Sequence, residues 1–273
     1  MTVMKHLGLF VCAALFLSTG LFGQVKIAKP EDNGMDPERL ARVDAVIEDA
    51  IRAGDIPGAV LSVVRRNDIV YLKAYGNKSV VPDTVPMTVE TMFDLASLSK
   101  CVGTTLSFMQ LIEEGHVRLT DPVKRYIPGF KPWVDPETRE EVDIILRDLL
   151  THSSGLSAYY DAELFVERFG TNQPDSLMQV IATEVDRHFR PGSDFLYSCL
   201  NFITLQHVLE TVTGERLCDY AESHVFAPLG LKHTCYFPLK DDLRTPARHM
   251  DLLPLVAPTE VQSDGSVLKG AVH

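Results

Sequence analysis

Two short β-rich segments followed by a long helical stretch constrain this chain most. Gly58 to Val64 and Ile69 to Tyr75 are rich in β-branched and aromatic residues, and Arg65-Arg66-Asn67-Asp68 separates them. A break of that length and polarity predicts an antiparallel hairpin. Ahead of it, Asp36-Pro37-Glu38 reads as a helix start, with Asp as cap, Pro at the first position and an acid in the first turn. Leu40, Val43, Ile47 and Ile51 continue at helical spacing, and Gly54 stops the run.

From about Phe93 the pattern turns mainly helical. Cys101 to Glu113 is apolar nearly all round, which predicts a helix buried on most sides and ended by Gly115. A second helix is expected from about Leu200 to Thr213, with Leu205, Val208, Leu209 and Val212 inward and Gly214 beyond it. Leu156 to Ser176, carrying Tyr159, Tyr160, Phe165 and Phe169, reads as a long connection: a lid, or aromatics packed on the surface beneath. Helix, hairpin and then helices define an α+β chain.

Charge narrows the function. Lys and Arg number 26 against 37 Asp and Glu, a net −11 with no basic run, which excludes a nucleic-acid binder. Met1 to His6 and the apolar Leu7 to Phe22 resemble a secretory signal, ending near Gly20 or Gly23. Residues 1–23 are therefore expected to be a signal peptide and 24–273 the functional domain. An uncleaved signal would be the one membrane attachment, and the expected location is periplasmic or secreted. Cys12 lies inside the apolar run after Leu9-Phe10-Val11, which is no lipobox. Cys101, Cys199, Cys218 and Cys235 remain, open to three pairings, without zinc-site spacing, and read as mostly buried small apolar residues.

Ser97-Leu98-Ser99-Lys100 carries the chemistry. Positions three apart share a helix face, whereas Ser99 points elsewhere. A serine hydroxyl needs a base to become a nucleophile, and a lysine supplies one where burial disfavours its ammonium form. The helix N-terminus adds N–H groups and a positive dipole end for a developing oxyanion. On the tetrapeptide alone, an N-capping serine beside a solvated lysine is the simpler reading.

The motifs around it resemble the serine β-lactamase and penicillin-binding protein superfamily, in the branch with class C β-lactamases, D-alanyl-D-alanine carboxypeptidases and related esterases. Phe93-Asp94-Leu95-Ala96-Ser97-Leu98-Ser99-Lys100 is similar to that family's nucleophile segment. Glu114 to Val123 with Tyr126-Ile127-Pro128 resembles the stretch after its central helix. Asp148-Leu149-Leu150-Thr151-His152-Ser153-Ser154-Gly155-Leu156 is similar to its "LLTHTSGL" segment, and His152 is read there as structural. Pro191-Gly192, Phe195 and Tyr197-Ser198 match the run into its second motif, and Phe226-Ala227-Pro228-Leu229-Gly230-Leu231 a later one. The matches span about residues 35 to 240 in order.

The resemblance implies a β-lactamase/transpeptidase-like fold, an antiparallel sheet flanked by helices with a mainly helical subdomain and the site between them. It implies Ser97 as acylated nucleophile, Lys100 as its proton acceptor and Tyr197 as a proton shuttle. A phenol of ordinary pKa near 10 serves as a base only where a cation such as Lys100 stabilises the phenolate. No metal or organic cofactor is implied, and the partner is a small-molecule or peptidoglycan-derived substrate.

Two departures qualify this picture. The family's Tyr-x-Asn is here Tyr197-Ser198-Cys199, and the Cys199 thiol is a weak substitute for a substrate-binding amide. Asn201 would point to another side of its helix. Nothing from Asp241 to His273 matches the family's third motif, a Lys- or His-x-Gly strand. The chain is thus expected to be the N-terminal portion of a longer protein, with the last strands and a final helix missing and only the first two sheet strands present. Esterase or peptidase-like hydrolysis ranks above β-lactamase activity. A catalytically inactive relative that binds peptidoglycan or a partner is the alternative, and a purely structural exported domain a third. Asp121, Asp148 and Glu210 read as caps or solvated groups.

Overall fold

The structure, a computed structural model, describes residues 25–236 and 249–270. The expected signal segment, Cys12 with it, lies outside the described residues, as does part of the stretch searched for a third motif.

The chain forms two compact units, one up to Thr91 and one from Met92. In the first, β1 (Lys26–Ile27) precedes α1 (Pro37–Leu40) and α2 (Arg42–Ala53). The Asp36 carboxylate accepts the N–H groups of Glu38 and Arg39 at 2.9 and 3.2 Å. Gly54 closes α2 in the left-handed region at φ 81°. The helix expected from Pro37 is present, with a change of course at Ala41.

The hairpin follows as β2 (Gly58–Arg65) and β3 (Asp68–Ser79), paired antiparallel from Gly58↔Gly76 to Arg65↔Asp68 with a shift between Val63 and Val64. Its two turn residues, Arg66 and Asn67, both have positive φ, the hand that matches strand twist. Gly58 is required here: a Cβ would lie 2.5 Å from the Asn77 carbonyl oxygen. β1 runs parallel to the start of β3, and β4 (Val85–Pro86) antiparallel to its end. The sheet therefore has four strands, two more than the sequence indicated, because two-residue strands leave no period-2 pattern to read.

Tyr71, Lys73 and Tyr75 alternate along β3 and so share a face. All three converge on Asp44 of α2: the Tyr71 hydroxyl, the Tyr75 hydroxyl at 2.6 Å and the Lys73 ammonium at 3.0 Å. This cluster ties helix to sheet.

The second unit is mainly helical. A π-helical segment, Lys100–Thr105, runs into α3 (Leu106–Glu113). The ribbon β5 (Trp133–Val134) and β6 (Glu141–Val142) leads to α4 (Leu146–Leu150), α5 (Ala162–Phe169), α6 (Pro174–Thr183), α7 (Cys199–Thr213) and α8 (Leu217–Tyr220). A second π-helical segment, Ala221–Phe226, follows α8, and β7 (Glu260–Val261) pairs with β8 (Val267–Leu268).

α7 runs through the core. Leu205, Val208 and Leu209 are fully buried beside Phe108 and Leu111 of α3, Leu146 and Leu149 of α4 and Ile181 of α6. Gly214 ends α7 at φ 72°. Both expected helices are present, although Met109 opens α3 to solvent on one side.

The segment 156–176 is not an irregular connection. It contains α5, whose N-terminus is capped by the Asp161 carboxylate accepting Leu164 N–H at 2.9 Å. Tyr160, Phe165 and Phe169 pack against the core, while Tyr159 is exposed. Ala162, Phe165, Val166 and Phe169 fall at i, i+3, i+4 and i+7, so a helical stripe and the cap at Asp161 were the available signals. The cysteine reading also needs correction: Cys101 and Cys199 are exposed free thiols, and Cys218 and Cys235 are half-buried. Cys101 and Cys199 each sit at a helix beginning, where the side chain points out of the core.

Candidate active site

The nucleophile segment begins with a strained turn. Ala96 sits at φ 43°, a conformation that costs a non-glycine residue about 1 kcal/mol or more. The Asp94 carboxylate accepts the Ala96 N–H at 2.7 Å and holds the turn. Leu98, Ser99 and Lys100 then donate their N–H groups to Leu95, Ala96 and Ser97, winding the chain into helix. Among the described residues the Ser97 N–H finds no backbone acceptor.

Lys100 opens the π-helical segment, where hydrogen bonds span five residues and each turn is wider than in an α-helix. Two hydroxyls serve the carbonyls of this turn: Thr105 Oγ1 donates to the Lys100 oxygen at 2.8 Å and Ser107 Oγ to the Gly103 oxygen at 2.9 Å. The Lys100 side chain folds back, and its Nζ donates to Ser97 Oγ at 3.0 Å.

Tyr197 reaches the same place from a distant part of the chain. Segments 152–158 and 188–199 lie side by side, laced by Gly192 N–H to the Ser153 carbonyl at 2.8 Å and Leu196 N–H to the His152 carbonyl at 3.0 Å. Further along, Ser198 Oγ donates to the Ser157 carbonyl at 2.7 Å and Cys199 N–H to the Ala158 carbonyl at 2.8 Å. Gly155 permits the approach, since a Cβ there would lie 2.5 Å from the Phe189 carbonyl oxygen. The Lys100 amine lies over the Tyr197 ring, 5.3 Å from its centroid, and over the Phe202 ring at 5.9 Å. Both are within cation–π range.

Of the residues expected in the site, Ser97 and Lys100 are in direct contact, and Tyr197 meets them through Lys100. Cys199 begins α7 and is exposed; the bond described for it is its backbone N–H. Asn201 is fully buried, its amide held by His152 and Ser154. The carboxylates are local anchors. Asp121 accepts from Arg118 N–H, Tyr126 Oη and Arg125, Asp148 accepts from Ile145 N–H, and Glu210 accepts from Gln206 and Leu217 N–H.

His152, read from the sequence as structural, lies beside Tyr197. Its ring stacks at a tilt on Tyr197, centroids 4.4 Å apart, and lies 5.2 Å from the Phe202 ring. Burial, reinforced by the Lys100 charge, holds its imidazole below the ordinary value. Its positive φ of 55° marks a constrained position, but no one-dimensional pattern shows that residue 152 will meet residue 197.

A mixed α+β chain with a Ser-x-x-Lys pair at the mouth of a buried helix and a tyrosine brought onto the lysine has the architecture of the serine β-lactamase and penicillin-binding superfamily. Residues 43–271 match the Beta-lactamase family model, and the chain belongs to that family.

Curated relatives include a "Putative D-alanyl-D-alanine carboxypeptidase" of Salmonella enteritidis PT4, 31% identical over 90% of this chain and 56% of that protein. A relative of the same name from Salmonella typhi is also 31% identical. The chain spans about half the length of these curated relatives. Among solved structures, "EstCE1, a hydrolase with promiscuous acyltransferase activity" superposes with TM-score 0.67 at 29% identity, covering 84% of this chain and 58% of that one. The octameric penicillin-binding protein homologue from Pyrococcus abyssi aligns with TM-score 0.62 at 24% identity, covering 84% and 50%, and shares the fold. Among the described residues no helix is long and apolar enough to cross a membrane.

Proposed function

We propose that this chain carries the nucleophile of a serine hydrolase that works through an acyl-enzyme on an ester or amide. The single observation behind this reading is the Lys100 Nζ to Ser97 Oγ hydrogen bond of 3.0 Å at a helix mouth. The Ser97 oxygen attacks the substrate carbonyl while its proton passes to the adjacent Nζ of Lys100. The carbonyl π electrons move to oxygen, and the Ser97 N–H is placed on the residue that bears the forming bond. Collapse expels the alcohol or amine, which takes its proton through Lys100 and Tyr197. Water then attacks the acyl-serine, returns the proton to Oγ and releases the acid. These steps call on no metal or organic cofactor.

Cys199 favours esters, or peptides of the carboxypeptidase kind, over β-lactams, because a thiol offers no amide to orient a lactam carbonyl. The hydrolase and carboxypeptidase names among the relatives support that ranking. The substrate is a small molecule or a fragment of peptidoglycan, and the protein is exported through residues 1–23. Cys199 also motivates a second reading, a protein that binds peptidoglycan or a partner without turning it over.

Hydrolysis of p-nitrophenyl acetate by the full-length protein separates the two. Ser97→Ala and Lys100→Ala are each expected to lower kcat by about 10³-fold or more. Equal turnover in Ser97→Ala would overturn the mechanism, and saturable binding of peptidoglycan fragments without turnover would establish the second reading.

A further inference from the structure

His152 is held by a polar chain that ends far from the nucleophile. Ser154 Oγ accepts Leu156 N–H at 3.1 Å and donates to Asn201 Oδ1 at 2.6 Å. With its oxygen thus occupied, Asn201 turns its amide toward His152 and donates to Nδ1 at 3.2 Å. Ser198 N–H donates to the same nitrogen at 3.1 Å. The Ser198 N–H can only donate, so Nδ1 accepts, and Asn201 must turn its NH2 to that nitrogen and its oxygen to Ser154. An imidazole nitrogen that accepts two donors carries no proton. His152 is therefore the neutral tautomer with hydrogen on Nε2.

The ring so oriented is the surface on which Tyr197 rests, at 4.4 Å, one residue before the Ser198 N–H that the same ring accepts. On its other sides stand Phe202 at 5.2 Å and the edge of Phe195 at 6.1 Å. Lys100 is the charge acting on it from the nucleophile's helix. A protonated ring would lose both donors.

We propose that His152, kept neutral by Asn201 and Ser154, is a positioning residue that sets the Tyr197 ring and hydroxyl against Lys100 for proton transfer. It touches no reacting atom. It acts by fixing Tyr197 in rotation as well as in place, and the inference rests on the hydrolase reading above.

Two variants of similar size test it in the full-length protein. His152→Asn puts Oδ1 where Nδ1 accepts and tolerates positive φ, whereas His152→Gln carries its acceptor at the position of Nε2. With p-nitrophenyl acetate, His152→Gln is expected to lower kcat about 10- to 100-fold with KM within about threefold, and His152→Asn, which keeps the acceptor but loses the ring, to lose several-fold less kcat than His152→Gln. A merely structural role would make the two variants alike once concentrations are corrected by fluorophosphonate titration of folded protein. That result would overturn the proposal. A second readout needs no turnover: the ¹³Cζ resonance of Tyr197 should shift in both variants and further in His152→Gln than in His152→Asn, and ¹⁵N spectra of the parent should show hydrogen on Nε2 alone. If the parent does not hydrolyse the ester, the hydrolase reading fails, and the resonances alone decide whether His152 positions Tyr197. Unmoved Tyr197 resonances in both variants, or hydrogen on Nδ1, would contradict it.

Discussion

At the scale of single residues, the contrast between Asp44 and Ser97 is instructive. Asp44 is surrounded by its own chain's donors: the hydroxyls of Tyr71 and Tyr75 and the Lys73 ammonium hold its carboxyl down at about 2. Every oxygen is spoken for, which makes it a fastening and not a site. A carboxyl lowered on folding contributes stability that is complete above its unfolded value near 3.8 and is lost as pH falls through about 2. Asp44→Asn should therefore melt below the parent at pH 7, with the gap narrowing under about pH 4 and closing near pH 2. Thermal midpoints measured across that range check this, and a constant gap would count against the assigned cause. Ser97, in contrast, is exposed, follows a strained Ala96 and is bonded by Lys100 through its side chain.

At the scale of elements, the sequence revealed those built on repetition. α7 was legible from Leu205, Val208 and Leu209 with Gly214 as its stop, and the hairpin from two β-rich segments either side of Arg65-Arg66-Asn67-Asp68. The π-helical turn at Lys100–Thr105 was not, because i→i+5 bonding has no residue propensity of its own. It shows in the structure through Gly103, where a Cβ would lie 2.3 Å from the Tyr236 hydroxyl oxygen. Gly103→Ala should cost about 1–3 kcal/mol by crowding Tyr236. Adding Tyr236→Phe should return part of that loss, since the hydroxyl is the nearest atom met. Denaturant melts of the two single variants and the double variant give the coupling; strict additivity would contradict the contact. Of the candidate site, the approach of Tyr197 to Ser97 and Lys100 was expected from the family resemblance. The Ser154–Asn201–His152 chain was not, since it joins residues 47 and 49 positions apart whose types are ordinary in isolation.

Across the whole molecule, the described residues from Met92 onward hold Ser97, Lys100, Tyr197 and His152 together, so the proposed proton path lies within one unit. The thiols give a check on the surface of that unit. Cys101 and Cys199 are exposed, and Ellman's reagent should label both rapidly in the native protein, with Cys218 and Cys235 slower. Labelling of neither Cys101 nor Cys199 before unfolding would contradict their placement. The central claim, that Ser97 is an activated nucleophile, is met most directly by intact-mass measurement after treating the full-length protein with a fluorophosphonate. The account predicts one adduct, mapped to the peptide bearing Ser97 and absent from Ser97→Ala. An unchanged mass, or an adduct that persists in Ser97→Ala, would contradict it.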